Sequence, residues 1–176
     1  MKIPSRISVL FWFTLALSIV ILISNILVQT PINDWLTWGA ITYPFSFLII
    51  DLANRFYGKK FARQVVYVGF AIAVVLSAWY ATPRIGVASG LAFLSAELLD
   101  VSIFDWLRRR IWWQAPLVST LLGSVVDTAV FFTLAFYGTD MPWITLGAGD
   151  LAVKFVLAFA TLVPFRVALV WARAAR

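Results

Sequence analysis

Runs of about twenty apolar residues recur along the whole chain, and that recurrence restricts the fold more than any motif does. A helix that crosses the roughly 30 Å hydrocarbon layer of a bilayer needs about 20 mostly apolar residues. Six stretches qualify, at about 8–29, 35–54, 64–82, 85–106, 115–137 and 148–171. Hydrophobic residues make up 62% of the 176 and charged residues 12%, whereas soluble domains carry about 45–50% and about 25%. So little polar surface cannot cover a water-soluble globule, and most of the chain is expected to meet lipid. The expectation is therefore an all-α polytopic membrane protein with six transmembrane helices in a single membrane domain, residues 1–176. Short connectors carry the turn residues Pro31, Asn33, Gly58, Pro83, Pro116 and the stretch from Gly138 to Pro142. The first apolar run is longer than the about 7–15 residues of a signal peptide and no A-x-A site follows it, so it reads as a retained helix.

Charge placement sets the expected orientation. Lys2, Arg6, Arg55, Lys59, Lys60, Arg63, Arg108, Arg109, Arg110, Arg173 and Arg176 fall on one side of that six-span layout. They are eleven of the fourteen basic residues. Arg84 sits opposite, and Lys154 and Arg166 lie within the last span. Positively charged connectors stay inside, so both termini are expected in the cytoplasm and the chain in the inner membrane. The net charge of +6 is then an orientation signal that also meets anionic lipid, and "RRR" is not read as a nucleic-acid contact. Trp35, Trp38, Trp79 and Trp143 fall near outer span ends, while Trp12, Trp106, Trp112, Trp113 and Trp171 fall near inner ends, as two interfacial belts should.

The chain has neither cysteine nor histidine. Disulfides, thiolate metal sites and cysteine nucleophiles are excluded, and the commonest metal ligand and general acid–base group is missing. No metal or cofactor is implied, and an enzyme is not expected.

Ionisable residues inside spans are costly, by about 2.5–3.5 kcal/mol each on insertion scales, and they mark function. At a rise of about 1.5 Å per residue, Asp127 and Glu97 each lie about 18 Å into their spans, near the midplane. Asp51 and Asp100 lie nearer the cytoplasm; Asn25, Gln29, Asp150 and Lys154 lie in the outer third. Ser89, Phe93, Glu97 and Asp100 share one helix face, as do Thr120, Ser124, Asp127 and Phe131. Thr42 and Ser46 make a weaker stripe around Pro44. Since lipid cannot satisfy such groups, the stripes should face one another or a wet cavity. Plainer readings stand beside this one. Hydroxyls often bond their own helix, Asp51 and Asp100 suit interfacial ion pairs with Arg55 and Arg108, and Asp150 and Lys154 suit an internal pair.

The blocks "TYPFSFLIIDLANRFYGKKFARQVV" (42–66) and "AELLDVSIFDWLRRRIWWQAPLVSTLLGSVVDTAVFFTLAFYG" (96–138), with "SNILVQ" (24–29) and "DLAVKFVL" (150–157), resemble the queuosine precursor transporter family, also described as vitamin-uptake-like membrane proteins. The resemblance implies import of 7-deazaguanine bases, the 7-cyano and 7-aminomethyl forms, for queuosine in tRNA. It places Asn25, Gln29, Asp51, Asp100, Ser119, Thr120, Asp127 and Lys154 at positions matching the family pattern. Glu97 departs from it, since relatives can carry Gln there, which weakens a proton-carrying role for Glu97.

A guanine-like base offers adjacent N–H donors on one edge, a carbonyl on another and flat faces that stack on aromatic rings. Asp127, backed by Ser124 and Thr120, is the expected edge reader. Lys154 or Asn25 meets the carbonyl, Phe45, Phe93 or Phe131 supplies a platform, and Glu97 is a weaker companion. Asp51, Asp100, Gln29 and Asp150 are left for coupling or gating. The expected partners are the base and membrane lipid, without nucleic acid, and a homodimer is allowed. A self-sufficient carrier is the first reading. The alternative is a substrate-capture subunit needing a separate energising partner; an intramembrane carboxylate enzyme and an oligomeric channel are further options.

Overall fold

A computed structural model describes residues 5–80 and 82–174. Lys2 and Arg176 lie outside the described residues, as does the side chain of Trp79. The chain folds as helices α1 (Arg6–Leu27), α2 (Gly39–Thr42), α3 (Phe45–Tyr57), α4 (Lys59–Tyr80), α5 (Pro83–Leu107), α6 (Gln114–Phe136) and α7 (Trp143–Ala174). A small hairpin, β1 (Pro31–Asn33) and β2 (Leu36–Thr37), precedes α2. Its strands are antiparallel, with Pro31 opposite Thr37 and Asn33 opposite Leu36. Asn33 Oδ1 accepts from the Trp35 amide at 2.8 Å and closes the turn.

Helix ends follow local chemistry. Ser5 and Thr82 cap α1 and α5 with their side-chain oxygens, and Pro83 occupies the first turn of α5, where its missing N–H costs nothing. Gly58 ends α3 at φ 87°, a backbone region that a side chain disfavours. Among the described residues, α1, α5, α6 and α7 are long and apolar enough to cross a membrane, and the chain is a multi-pass, all-α membrane protein.

The stretch expected to be the second span, 35–54, is not one continuous helix. Hairpin and α2 take up its first part, and α3 has 13 residues, about 20 Å at the α-helical rise. Pro44 separates α2 from α3. It has no N–H to give to the α2 carbonyls, and its ring crowds the preceding turn. The other five expected spans correspond to α1, α4, α5, α6 and α7 within a few residues, apart from an earlier start to α4 and α7.

Packing runs α1 on α4, α4 on α5, α5 on α6 and α6 on α7, with α3 in the middle. Helices α5 and α6 are antiparallel neighbours: Arg84 at the start of α5 donates to the carbonyls of Leu134 and Tyr137 at the end of α6. Their close approach depends on Gly123, where a Cβ would fall 2.7 Å from Phe47 and 3.4 Å from the Ala96 carbonyl. One apolar core joins α1, α3, α4 and α5 around Leu17, Phe47, Phe61 and Phe93. A second, around Phe131, Phe132 and Leu146, and a third, around Phe104 and Phe165, flank it at opposite ends.

Several basic residues meet near helix ends. Arg55 donates to the Arg108 carbonyl at 2.7 Å, Arg6 reaches Gln64 at 3.3 Å, and Arg55 and Arg173 line one cavity. Arg84 meets the Tyr137 carbonyl at the end of α6. Trp12, Trp106 and Trp171 are exposed, as are Trp35 and Trp38.

A buried charged cavity and a separate acid cluster

Helices α1, α2, α5, α6 and α7 converge on a cavity lined by Asn25, Gly39, Tyr43, Ser89, Asp127, Phe131, Asp150 and Lys154, among others. Lys154 is its electrostatic centre. The ammonium donates to Asp127 Oδ2 at 2.7 Å and to Thr128 Oγ1 at 3.1 Å, and it pairs with Asp150 Oδ2 at 2.5 Å. Thr128 in turn donates to Asp150 at 2.7 Å. Tyr43 places its ring 5.1 Å from the ammonium and donates its hydroxyl to Asp127 Oδ1 at 2.8 Å. Both oxygens of Asp127 therefore hold a donor. Two carboxylates against one ammonium leave the ionised group one negative charge in excess. Breaking such a buried pair by deleting one partner costs about 3–5 kcal/mol, because the other charge stays buried.

The opposite wall is neutral. Ser89 donates to Asn25 Oδ1 at 2.8 Å, Gln29 folds back to the Asn25 carbonyl at 3.1 Å, and the Ser24 and Thr42 hydroxyls meet at 2.8 Å. Water can occupy about 30 Å³ of the cavity, roughly two molecules' worth. A bicyclic base needs several times that, so this conformation is closed and side chains must move to admit one.

A second polar cluster lies one to two turns toward the C-terminal ends of α3 and α5. Ser46 donates to Glu97 Oε1 at 2.7 Å, and Ser119 and Thr120 approach the two oxygens of Asp51 at 3.4 Å each. Asp51 and Asp100 face each other within hydrogen-bonding range. Glu97 and Asp100 are fully buried, and Asp51 is nearly so. Glu97 Oε2 and both Asp100 oxygens receive no hydrogen bond from a donor group. Among the described residues none of these three carboxylates forms an ion pair.

Asp127, Lys154, Asn25 and Phe131 thus line one cavity, and Asp150 joins them through the internal pair with Lys154. The structure assigns Glu97 and Thr120 to the other cluster. Ser124 is buried between the two with its hydroxyl unpartnered. Phe93 stacks on Phe70 and lines a neighbouring small cavity that shares Asn25 and Ser89. Phe45, the first residue of α3 after the Pro44 break, is 42% exposed and does not line the cavity. The ion pairs considered for Asp51 and Asp100 do not form. Arg55 donates to the Arg108 carbonyl at the end of α5, and Arg108 donates to the Asn54 and Arg55 carbonyls of α3 and pairs with Asp105. Sequence reading missed Tyr43 and Thr128 as partners of the charged group. The Tyr43-Pro44-Phe45 block, and Thr128 beside the acid, were the signals available.

A multi-pass helical membrane protein with a closed, charged cavity buried between its helices has the architecture of a small-molecule transporter. The chain belongs to the family described as "Putative vitamin uptake transporter", whose sequence profile matches residues 37–82 and 76–169. It is similar to the queuosine precursor transporter of Escherichia coli (strain K12), 32% identical over 90% of this chain and 85% of that relative. It is also similar to the "Probable queuosine precursor transporter" of Haemophilus influenzae, 31% identical over 88% of this chain and 83% of the relative. A Bacillus subtilis protein of the same description is 26% identical over 72% of this chain and 68% of its own length. No solved structure matches the chain.

Proposed function

We infer that the chain imports queuosine precursor bases, 7-deazaguanines with a cyano or aminomethyl group at position 7, into the cytoplasm. The supporting observation is the hydrogen-bonding of Asp127, whose two buried oxygens are each held by a donor that a ligand can replace. Adjacent N–H groups on the edge of a guanine-like base match a carboxylate in geometry and number. The base displaces the Tyr43 hydroxyl from Oδ1, and Lys154 swings from Oδ2 toward the base carbonyl while keeping Asp150. Asn25 is a further partner for the carbonyl edge, and Phe131 with the Tyr43 ring supplies a stacking face. Glu97, Phe45 and Thr120 have no place in this site.

Both termini lie in the cytoplasm and the chain crosses the inner membrane six times, with the hairpin, α2 and α3 together making the second crossing. This layout is supported by the basic residues, eleven of fourteen of which fall on one side of it. The relatives carry the names of transporters, which favours a carrier over a capture subunit.

The test is queuosine formation from supplied 7-cyano-7-deazaguanine in cells unable to make or import it. Cells expressing the chain should modify their tRNA and cells expressing Asp127→Asn should not. Equal modification with Asp127→Asn would show that Asp127 does not read the base.

A further inference from the structure

Buried charge in this protein does not balance. Asp51, Glu97, Asp100, Asp127 and Asp150 are all buried, five of the eight acids, whereas Lys154 is the buried base among the described residues. Asp127 and Asp150 share Lys154. Among the described residues no cation pairs with the remaining three.

The neighbours of that cluster are as follows. Helix α3 contributes Asp51, and α5 contributes Glu97 and Asp100. Helix α6 contributes the hydroxyls of Ser119 and Thr120 and, farther off, the carboxylate of Asp127. The α2–α3 junction contributes Ser46 and the Tyr43 phenol, and the Lys154 ammonium of α7 is spent on Asp127 and Asp150. Arg55 and Arg108, the nearest guanidiniums in sequence, bond backbone carbonyls and Asp105. Three ionised carboxylates without a cation are not stable in a membrane interior. Two carboxylates that face each other also cannot bond unless one carries a proton, since both would only accept. The unpartnered oxygens of Asp100 are the acceptor positions such a proton would satisfy.

We propose that the facing pair Asp51–Asp100, with Glu97 above it, is a proton-binding site that couples base import to the proton gradient. This rests on the base-site reading above and adds a second site to it. The link between the two is the segment 43–46. Tyr43 donates to Asp127 in the base cavity, and Ser46, just past Pro44, donates to Glu97 in the acid cluster. When a base takes over Asp127 Oδ1, Tyr43 is released and the Pro44 junction is free to move. Ser46 then leaves Glu97, which loses the donor that favours its charged form. Asp51 and Asp100 share one proton at rest, and a second from outside settles on Glu97 as the base settles on Asp127. It leaves to the cytoplasm past Asp51 when the base does. One proton is bound and one released per cycle, so the balance closes.

The experiment uses the full chain in liposomes with labelled 7-cyano-7-deazaguanine, a neutral base that does not respond to voltage. With voltage clamped, an inward gradient of about one pH unit supports up to about tenfold accumulation at one proton per base. The wild type should accumulate base and lose it on addition of a protonophore. Asp100→Asn and Asp51→Asn should only equilibrate the base while still exchanging it in counterflow. The protonated-carboxyl band in infrared spectra should be present in the wild type, absent from Asp100→Asn and retained in Tyr43→Phe. A wild type that exchanges base in counterflow yet ignores the gradient, or accumulates it on sodium alone, overturns the proton site and leaves the base site standing. So does an Asp100→Asn protein that accumulates base like the wild type. If the wild type neither exchanges nor binds the base, the base reading fails, and the infrared band alone then decides the proton site.

Discussion

Tyr43 and Ser46 stand three residues apart on either side of Pro44, and their hydroxyls bond carboxylates in two different clusters, Asp127 at 2.8 Å and Glu97 at 2.7 Å. No other short segment among the described residues bonds acids in both. The segment 43–46 therefore touches both the charged cavity and the acid cluster, and each contact can be perturbed separately.

Removing the phenol hydroxyl alone isolates one bond. Tyr43→Phe keeps the ring over Lys154 and deletes the donor to Asp127. A hydrogen bond to a charged group is worth about 1.5–3 kcal/mol. In detergent, the melting temperature without base should fall, and the further stabilisation by added base should shrink less than in Asp127→Asn. An unchanged melting temperature would mean that the Tyr43 bond does not hold the closed state.

The Lys154 group should show strong non-additivity. Lys154→Met leaves two buried carboxylates without their cation, at about 3–5 kcal/mol for a broken pair, whereas Asp127→Asn leaves Lys154 paired with Asp150 and should cost less. The double variant should lose clearly less stability than the sum, since neighbours in one network couple by about 0.5–3 kcal/mol. Uptake should be abolished in all three proteins. Additive stability losses would contradict the pairing.

Gly123 tests the packing that brings α6 against α3 and α5. A methyl at this position meets the Phe47 ring at 2.7 Å, and overpacking typically costs about 1–3 kcal/mol. Gly123→Ala should lower the detergent melting temperature, and Gly123→Ala with Phe47→Leu should recover part of it. Gly86→Ala, where nothing lies within 4 Å of the added carbon, is the matched control.

Sidedness can be read directly because the chain has no cysteine. In intact cells an impermeant maleimide should label Thr139→Cys, beyond the end of α6, and should label Arg110→Cys only after the membrane is opened. The reverse pattern would invert the proposed orientation.

Composition and span length were enough to determine a multi-pass helical membrane protein and to single out Asp127 and Glu97 as acids near its midplane. These are properties of the solvent: lipid tolerates long apolar helices and penalises a lone charge wherever it falls. Helical spacing also put Thr120, Ser124, Asp127 and Phe131 on one face, but a face is not a site. Only tertiary packing decided that Thr120 serves Asp51 while Asp127 and Phe131 line the cavity, because α3 crosses α6 between them. The break at Pro44 escaped the hydropathy pattern, since apolarity measures where a segment can reside and says nothing about whether its backbone is continuous. Tyr43 was invisible for the same reason. An aromatic residue in an apolar run reads as packing until the fold turns its hydroxyl toward an acid eighty-four residues away. The sequence alone determined which charges fall within apolar spans, because hydropathy is local; the three-dimensional path of α2 and α3 decided which of them are paired, because pairing depends on residues far apart in the chain.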